Sequence, residues 1–206
     1  MKTIAGVLEN TRVVPVIVID KLADAVPLAE CLVSVGLRVL EVTLRTNAAL
    51  DAVKAIISSV GDCVVGVGSI LDAHAMHQAI DAGAAFGVSP GTTPAFLDEL
   101  KKTDWPFLPG AGSVSEIMTL RAAGYTHQKL FPASLVGGVS FLKAVSGPLA
   151  GVSFCPTGGI SEDAAPSYLA QKNVFAIGGS WIAPKDLISS RNWNEIVKRA
   201  KTASAL

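Results

Sequence analysis

The chain alternates between two textures. Short runs of apolar and β-branched residues recur at positions 13–19, 39–44, 63–70, 85–89, 106–109, 129–133, 152–155 and 174–177. Between them lie longer stretches that mix apolar and polar residues with helical spacing, at 23–35, 48–59, 73–82, 94–102, 115–123, 138–146 and 162–170, with a last one at 194–202. The first texture predicts strands buried on both faces, the second amphipathic helices. The first dozen residues predict a short helix ahead of strand 1.

The punctuation agrees. Ser113 followed by Glu116 has the form of a capping box. Thr93-Pro94 puts proline at a first helical position, and Ser161 is placed to cap the helix at 162–170. Gly36, Gly61, Gly83 and Gly124 follow helices, where a left-handed cap suits glycine. Eight strands, each followed by a helix at a step of about 20–25 residues, predict an α/β chain with one domain, residues 1–206, folded as a (β/α)8 TIM barrel. The competing arrangement is an open doubly wound sheet. Against it, no phosphate-binding fingerprint follows strand 1, and Gly66-x-Gly68-x-x-Leu71 lacks the third glycine.

Composition narrows the partners. Hydrophobic residues make up 50% and charged residues 17%, which fits a parallel sheet covered by helices. Seventeen basic residues balance seventeen acidic ones. A neutral chain without a basic stripe predicts no nucleic-acid partner and no anionic membrane surface. No apolar run reaches the length of a membrane span, and the first ten residues are too short and interrupted for a signal peptide. Cys31, Cys63 and Cys155 are an odd, scattered set, read as reduced thiols of a cytoplasmic protein, with Cys155 a small buried packing residue.

Lys129 is the informative charge. It lies in the strand run Gln128-Lys129-Leu130-Phe131-Pro132-Ala133. Burying an ammonium costs several kcal/mol, of order 5, unless it is paired or neutralised. Losing the proton makes it an amine nucleophile. In the strand at 39–44, alternation puts Leu40, Val42 and Leu44 on one face and Glu41, Thr43 and Arg45 on the other. If the polar face points into the barrel, Glu41 can meet Lys129. The pair reads either as an ion pair that fixes the fold or as a catalytic site, and Arg45 either as a surface salt bridge or as a carboxylate fork.

Strands 7 and 8 end in Thr157-Gly158-Gly159 and Gly178-Gly179-Ser180, where this fold frequently binds phosphate. Ser89-Pro90-Gly91-Thr92 and Pro109-Gly110 are rigid turns at the ends of strands 4 and 5, and Ser69 offers a hydroxyl at the end of strand 3. His74 and His77 fit a solvated helix face better than a metal site, and His127 a turn. Neither a metal nor a nucleotide cofactor is predicted.

With these residues in place, the chain resembles a known family. Val14-Pro15-Val16-Ile17, Leu40-Glu41-Val42-Thr43-Leu44-Arg45-Thr46, Ser89-Pro90-Gly91, Lys129-Leu130-Phe131-Pro132-Ala133, Phe154-Cys155-Pro156-Thr157-Gly158-Gly159-Ile160 and Ile177-Gly178-Gly179-Ser180-Trp181 look like the 2-keto-3-deoxy-6-phosphogluconate (KDPG) aldolases, including those that also act on 4-hydroxy-2-oxoglutarate. The resemblance implies a metal-independent class I aldolase of the Entner-Doudoroff pathway, a homotrimer of barrels. It would split the phosphorylated 2-keto-3-deoxy sugar acid into pyruvate and glyceraldehyde 3-phosphate. It makes Lys129 the Schiff-base lysine and Glu41 the general acid/base, and gives the pyruvate carboxylate to Arg45 and Ser69. Phe131 and Pro90 would pack on the pyruvyl carbons, Thr157 would meet the substrate hydroxyls, and Gly158, Gly159, Gly179 and Ser180 would hold the phosphate.

Two positions depart from the family pattern. Ser69 stands where a threonine is common, and Ser134 where a glutamate often follows Phe-Pro-Ala. The related galactonate enzymes commonly lack a threonine at the Thr157 position, which favours the gluconate epimer. Two other classes stay open: a sugar-phosphate isomerase or epimerase with Glu41 as base, and a barrel that binds a sugar phosphate without turnover.

Overall fold

Residues 3–206 are described by the structure, a computed structural model. Residues 1 and 2, at the start of the stretch expected to form the first helix, lie outside the described residues. That helix is α1 (Ile4–Val7). The strands are β1 (Val13–Ile17), β2 (Val39–Thr43), β3 (Val64–Gly68), β4 (Phe86–Val88), β5 (Phe107–Leu108), β6 (Gly110–Ala111), β7 (His127–Leu130), β8 (Ser153–Pro156) and β9 (Ile177–Gly179). The helices after α1 are α2 (Ala25–Val33), α3 (Ala49–Ser59), α4 (Ala73–Asp81), α5 (Pro94–Leu100), α6 (Val114–Ala122), α7 (Gly138–Ser146), α8 (Ala165–Leu169), α9 (Lys185–Ser189) and α10 (Trp193–Ser204).

Every pairing is parallel. One sheet runs in the order β5-β4-β3-β2-β1-β9 and a second in the order β6-β7-β8. They meet at two places. β5 and β6 flank Pro109, whose carbonyl accepts the Lys129 N–H at 2.9 Å, and Thr157 after β8 forms a parallel bridge to Gly178 in β9. The result is a curled parallel sheet wrapped by helices. No helix among the described residues is long and apolar enough to cross a membrane.

Two apolar clusters follow from strand alternation. Leu40 and Val42 of β2 join Leu28, Leu32, Val53 and Ile56 from α2 and α3 in the larger cluster, between sheet and helices. Val39, one residue out of phase, joins Val14, Phe86, Leu108 and Cys155 in a smaller cluster on the other face. Ile4 and Val7 of α1 pack against that inner cluster at the N-terminal ends of the strands. The helix starts are capped as their residue types suggest. Thr93 accepts the Phe96 N–H at 3.2 Å ahead of Pro94, and Ser113 accepts that of Glu116 at 3.4 Å. Glu116 in return accepts the Gly112 N–H at 2.8 Å.

Several boundaries differ from the sequence pattern. The fifth strand is split at Pro109, which has no N–H for a ladder. The sixth expected strand stops at Leu130, because the chain then folds into turns closed by Leu135 and Val136 on the Pro132 carbonyl. The eighth, expected at 174–177, runs from Ile177 to Gly179 and leaves an isolated bridge at Val174. Ser161 does accept the Ala164 N–H at 3.3 Å, but α8 begins at Ala165. Gly36, Gly83 and Gly124 are left-handed as expected, whereas Gly61 is not.

Candidate active site

Lys129 and Glu41 stand 88 residues apart in sequence and 3.1 Å apart in space, Nζ donating to Oε1. Both side chains are about nineteen-twentieths buried, at 6% and 5% exposure. The register explains the meeting. Lys129 lies between Gly110 of β6 and Cys155 of β8, and Glu41 lies opposite Gly66 of β3. Both side chains project from the face opposite the helix-facing cluster, so the polar side of β2 turns inward as alternation required.

Glycines make room for this pair. A Cβ on Gly68 would overlap the Glu41 carboxylate, and one on Gly110 would overlap the Ser89–Pro90 backbone. Sequence reasoning missed the role of Gly68. The only signal for it was its register, immediately before Ser69 on the strand next to Glu41. Ser89, fully buried, accepts the Gly110 N–H at 3.1 Å, and Thr92 donates to the Gly110 carbonyl at 3.1 Å. These bonds tie the Pro90 turn to the strand beside Lys129.

Phe131 covers the amine, its ring centroid 5.5 Å from Nζ. The same ring lies 3.0 Å from where a Cβ of Gly158 would stand. Thr157 is buried, donates to the Cys155 carbonyl at 3.4 Å, and fills the space above Gly178. Two residues beyond the Thr157–Gly178 bridge stand Gly159 on one segment and Ser180 on the other. Both are exposed, and their backbone N–H groups make no hydrogen bond among the described residues. Gly158 and Gly159 have φ of 97° and 73°, the left-handed region that favours glycine. Paired unsatisfied N–H groups beside a glycine turn are the makings of an anion cradle. Gly179 is different: it is buried under the Trp181 ring and serves packing.

Neither Arg45 nor Ser69 makes a side-chain hydrogen bond or ion pair with Lys129 or Glu41. Arg45 is exposed two residues past β2 and makes no side-chain hydrogen bond or ion pair among the described residues. Ser69 has φ of 62° and lines a depression of about 350 Å³ with Thr46, Asp72 and Gln78. A hollow of about 610 Å³ lies at the N-terminal ends of β3 and β4 beside Val7, Cys63 and Ala85, away from both charged residues.

Cys155 is buried next to Lys129, and burial pushes its thiol up to about 12. His74 and His77 are both exposed on α4. His127 is half-buried at the start of β7, its ring edge-on to Phe175 at 5.1 Å, and burial lowers its pKa.

A buried lysine–glutamate pair with a glycine-turn anion cradle a few residues along the neighbouring strands suits imine chemistry on a phosphorylated keto acid. The comparisons agree with that chemistry. A 2-dehydro-3-deoxy-phosphogluconate aldolase of Pseudoalteromonas atlantica is 47% identical over 97% of this chain and 93% of its own. A KDPG aldolase from Legionella pneumophila, solved with pyruvate captured at low pH as a covalent carbinolamine intermediate, superposes with a TM-score of 0.94 at 42% identity over 98% of both chains. The enzyme of Zymomonas mobilis ZM4, solved with 3-phosphoglycerate, gives 0.92 at 41% identity over all of this chain and 96% of its own. The family model for KDPG and KHG aldolases matches residues 4–199, and the chain belongs to that family.

Proposed function

We propose that this chain is a Schiff-base aldolase that cleaves 2-dehydro-3-deoxy-6-phosphogluconate to pyruvate and glyceraldehyde 3-phosphate, and that it also accepts 4-hydroxy-2-oxoglutarate. The observation that carries this reading is the buried Lys129–Glu41 contact at 3.1 Å. A pair of this kind is seldom net stabilising, because desolvation offsets attraction. A chemical role accounts for it better.

Neutral Lys129 adds to the C2 ketone, and the carbinolamine loses water to give an iminium ion. Glu41 supplies and removes the protons. It then takes the C4 hydroxyl proton, the C3–C4 electron pair moves onto C3 to form an enamine, and the aldehyde leaves. Protonation at C3 and hydrolysis of the imine release pyruvate. Phe131 and Pro90 would shelter the pyruvyl carbons, and Thr157 would meet the hydroxyls. The free N–H groups of Gly159 and Ser180 would take the phosphate, with Gly158 shaping the turn. Gly179 would contribute by packing. Arg45 and Ser69 would hold the carboxylate.

The fold reading that goes with this is a closed (β/α)8 barrel, with β5 and β6 as two halves of one stave. The bridge between β8 and β9 supports it. The resemblance also implies a homotrimer. Leu71, Met118 and Leu135 are large apolar side chains left exposed, and a solution mass of one chain would count against the trimer. Free thiols at all three cysteines suit a reducing cytoplasm.

Borohydride with pyruvate should leave a covalent adduct on Lys129, read by peptide mass spectrometry. Lys129→Ala should abolish cleavage and the adduct while keeping the thermal midpoint measurable, and Glu41→Gln should slow turnover about 10²–10⁴-fold. An adduct elsewhere, or none, would defeat the reading. An isomerase with Glu41 as base needs no imine and would give no adduct.

A further inference from the structure

Ser134 has no role in the chemistry above, yet it touches the phosphate turn. Its N–H donates to the Gly158 carbonyl at 3.1 Å, and the Ala133 N–H donates to the Thr157 carbonyl at 2.8 Å. The segment after β7 is thereby fastened along residues 157–158. The Ser134 side chain leans over the next residue, since a Cβ on Gly159 would overlap its Oγ. That hydroxyl is exposed and makes no hydrogen bond among the described residues. The Gly159 N–H beneath it is equally free.

We propose that Ser134 is a further substrate-binding residue, whose hydroxyl donates to the substrate phosphate alongside the Gly159 and Ser180 N–H groups and sets the affinity of the turn for a dianion. The proposal rests on the reading of residues 158–159 and 180 as the phosphate site. A neutral donor here favours a phosphate oxygen. Ser134 is on a segment anchored by two backbone bonds, so its hydroxyl needs no rearrangement to reach a group seated on Gly159.

Inorganic phosphate is the probe, measured as a competitive inhibitor of cleavage of the phosphorylated substrate by the full-length protein. Wild type should be inhibited competitively. Ser134→Ala should raise the inhibition constant about fivefold, the scale of one charge-assisted hydrogen bond at an exposed site. Borohydride trapping of pyruvate, which asks nothing of the phosphate turn, reports in the variant whether the lysine end of the site is intact. Competition in wild type with an unchanged constant in Ser134→Ala would overturn the role of Ser134 and leave the phosphate turn standing. Absence of competition in wild type would remove the turn itself and the proposal with it. Loss of trapping in Ser134→Ala would mark a structural residue and equally overturn the proposal.

Discussion

A methyl group at residue 68 would occupy the space now held by the Glu41 carboxylate. Gly68→Ala therefore has to displace either the β3 backbone or the carboxylate. Forcing extra volume into a packed site costs about 1–3 kcal/mol. Moving a proton-transfer group by about 1 Å can lower turnover about 10²-fold. Gly68→Ala is expected to lower kcat at least tenfold while remaining folded, measured by pyruvate release and thermal unfolding on the same preparation. Turnover within twofold of wild type would show that the carboxylate needs no such fit. Glu41 was legible because alternation puts it on the polar face of its strand, and Lys129 because an unpaired ammonium in an apolar strand is untenable. Gly68 was not, since its importance lies in a side chain on the neighbouring strand. Arg45 was legible only as a residue type: alternation gives its face, and it stands past the last ladder pair of β2, exposed to solvent.

At the scale of elements, α7 spans the expected 138–146 residue for residue, its apolar spacing ending between Gly137 and Gly147. The helix α9 was missed. Five residues give too little periodicity to register. β7 is the element with a consequence for pH. Its first residue, His127, has its pKa lowered by burial, so the folded state binds fewer protons than the unfolded state below the usual histidine value of about 6.5. Stability is then full above that value and declines as pH falls from it toward the lowered folded value. Urea midpoints measured between pH 8 and pH 5 should drop through this window, and His127→Gln should flatten the drop. A steeper or unchanged slope in the variant would assign the acid sensitivity to other groups.

Over the whole molecule, the repeat of strand and helix was readable because each strand is buried on both faces and so forms an apolar block. The joints between blocks were less so: Pro109 splits a strand, and the β8–β9 contact is a single bridge at Thr157 rather than a ladder. Cys155 sits inside this curl, in the inner cluster and beside Lys129. Its thiol is pushed up to about 12 by burial, which leaves roughly one thiolate in ten thousand at pH 8. Cys31 and Cys63 are only half-buried. Cys63, also near 12, borders the open hollow at the N-terminal ends of the strands. Alkylation at Cys155 must therefore wait for the sheet to open, whereas the other two can react through local fluctuations. Peptide-resolved labelling at pH 8 across a series of low urea concentrations should give Cys155 the slowest rate and the steepest urea dependence, matching the slope of global unfolding. If Cys155 labels as fast as Cys31 and without urea dependence, the sheet opens between β7 and β9 in the native state, and the enclosure on which Lys129 depends is not closed.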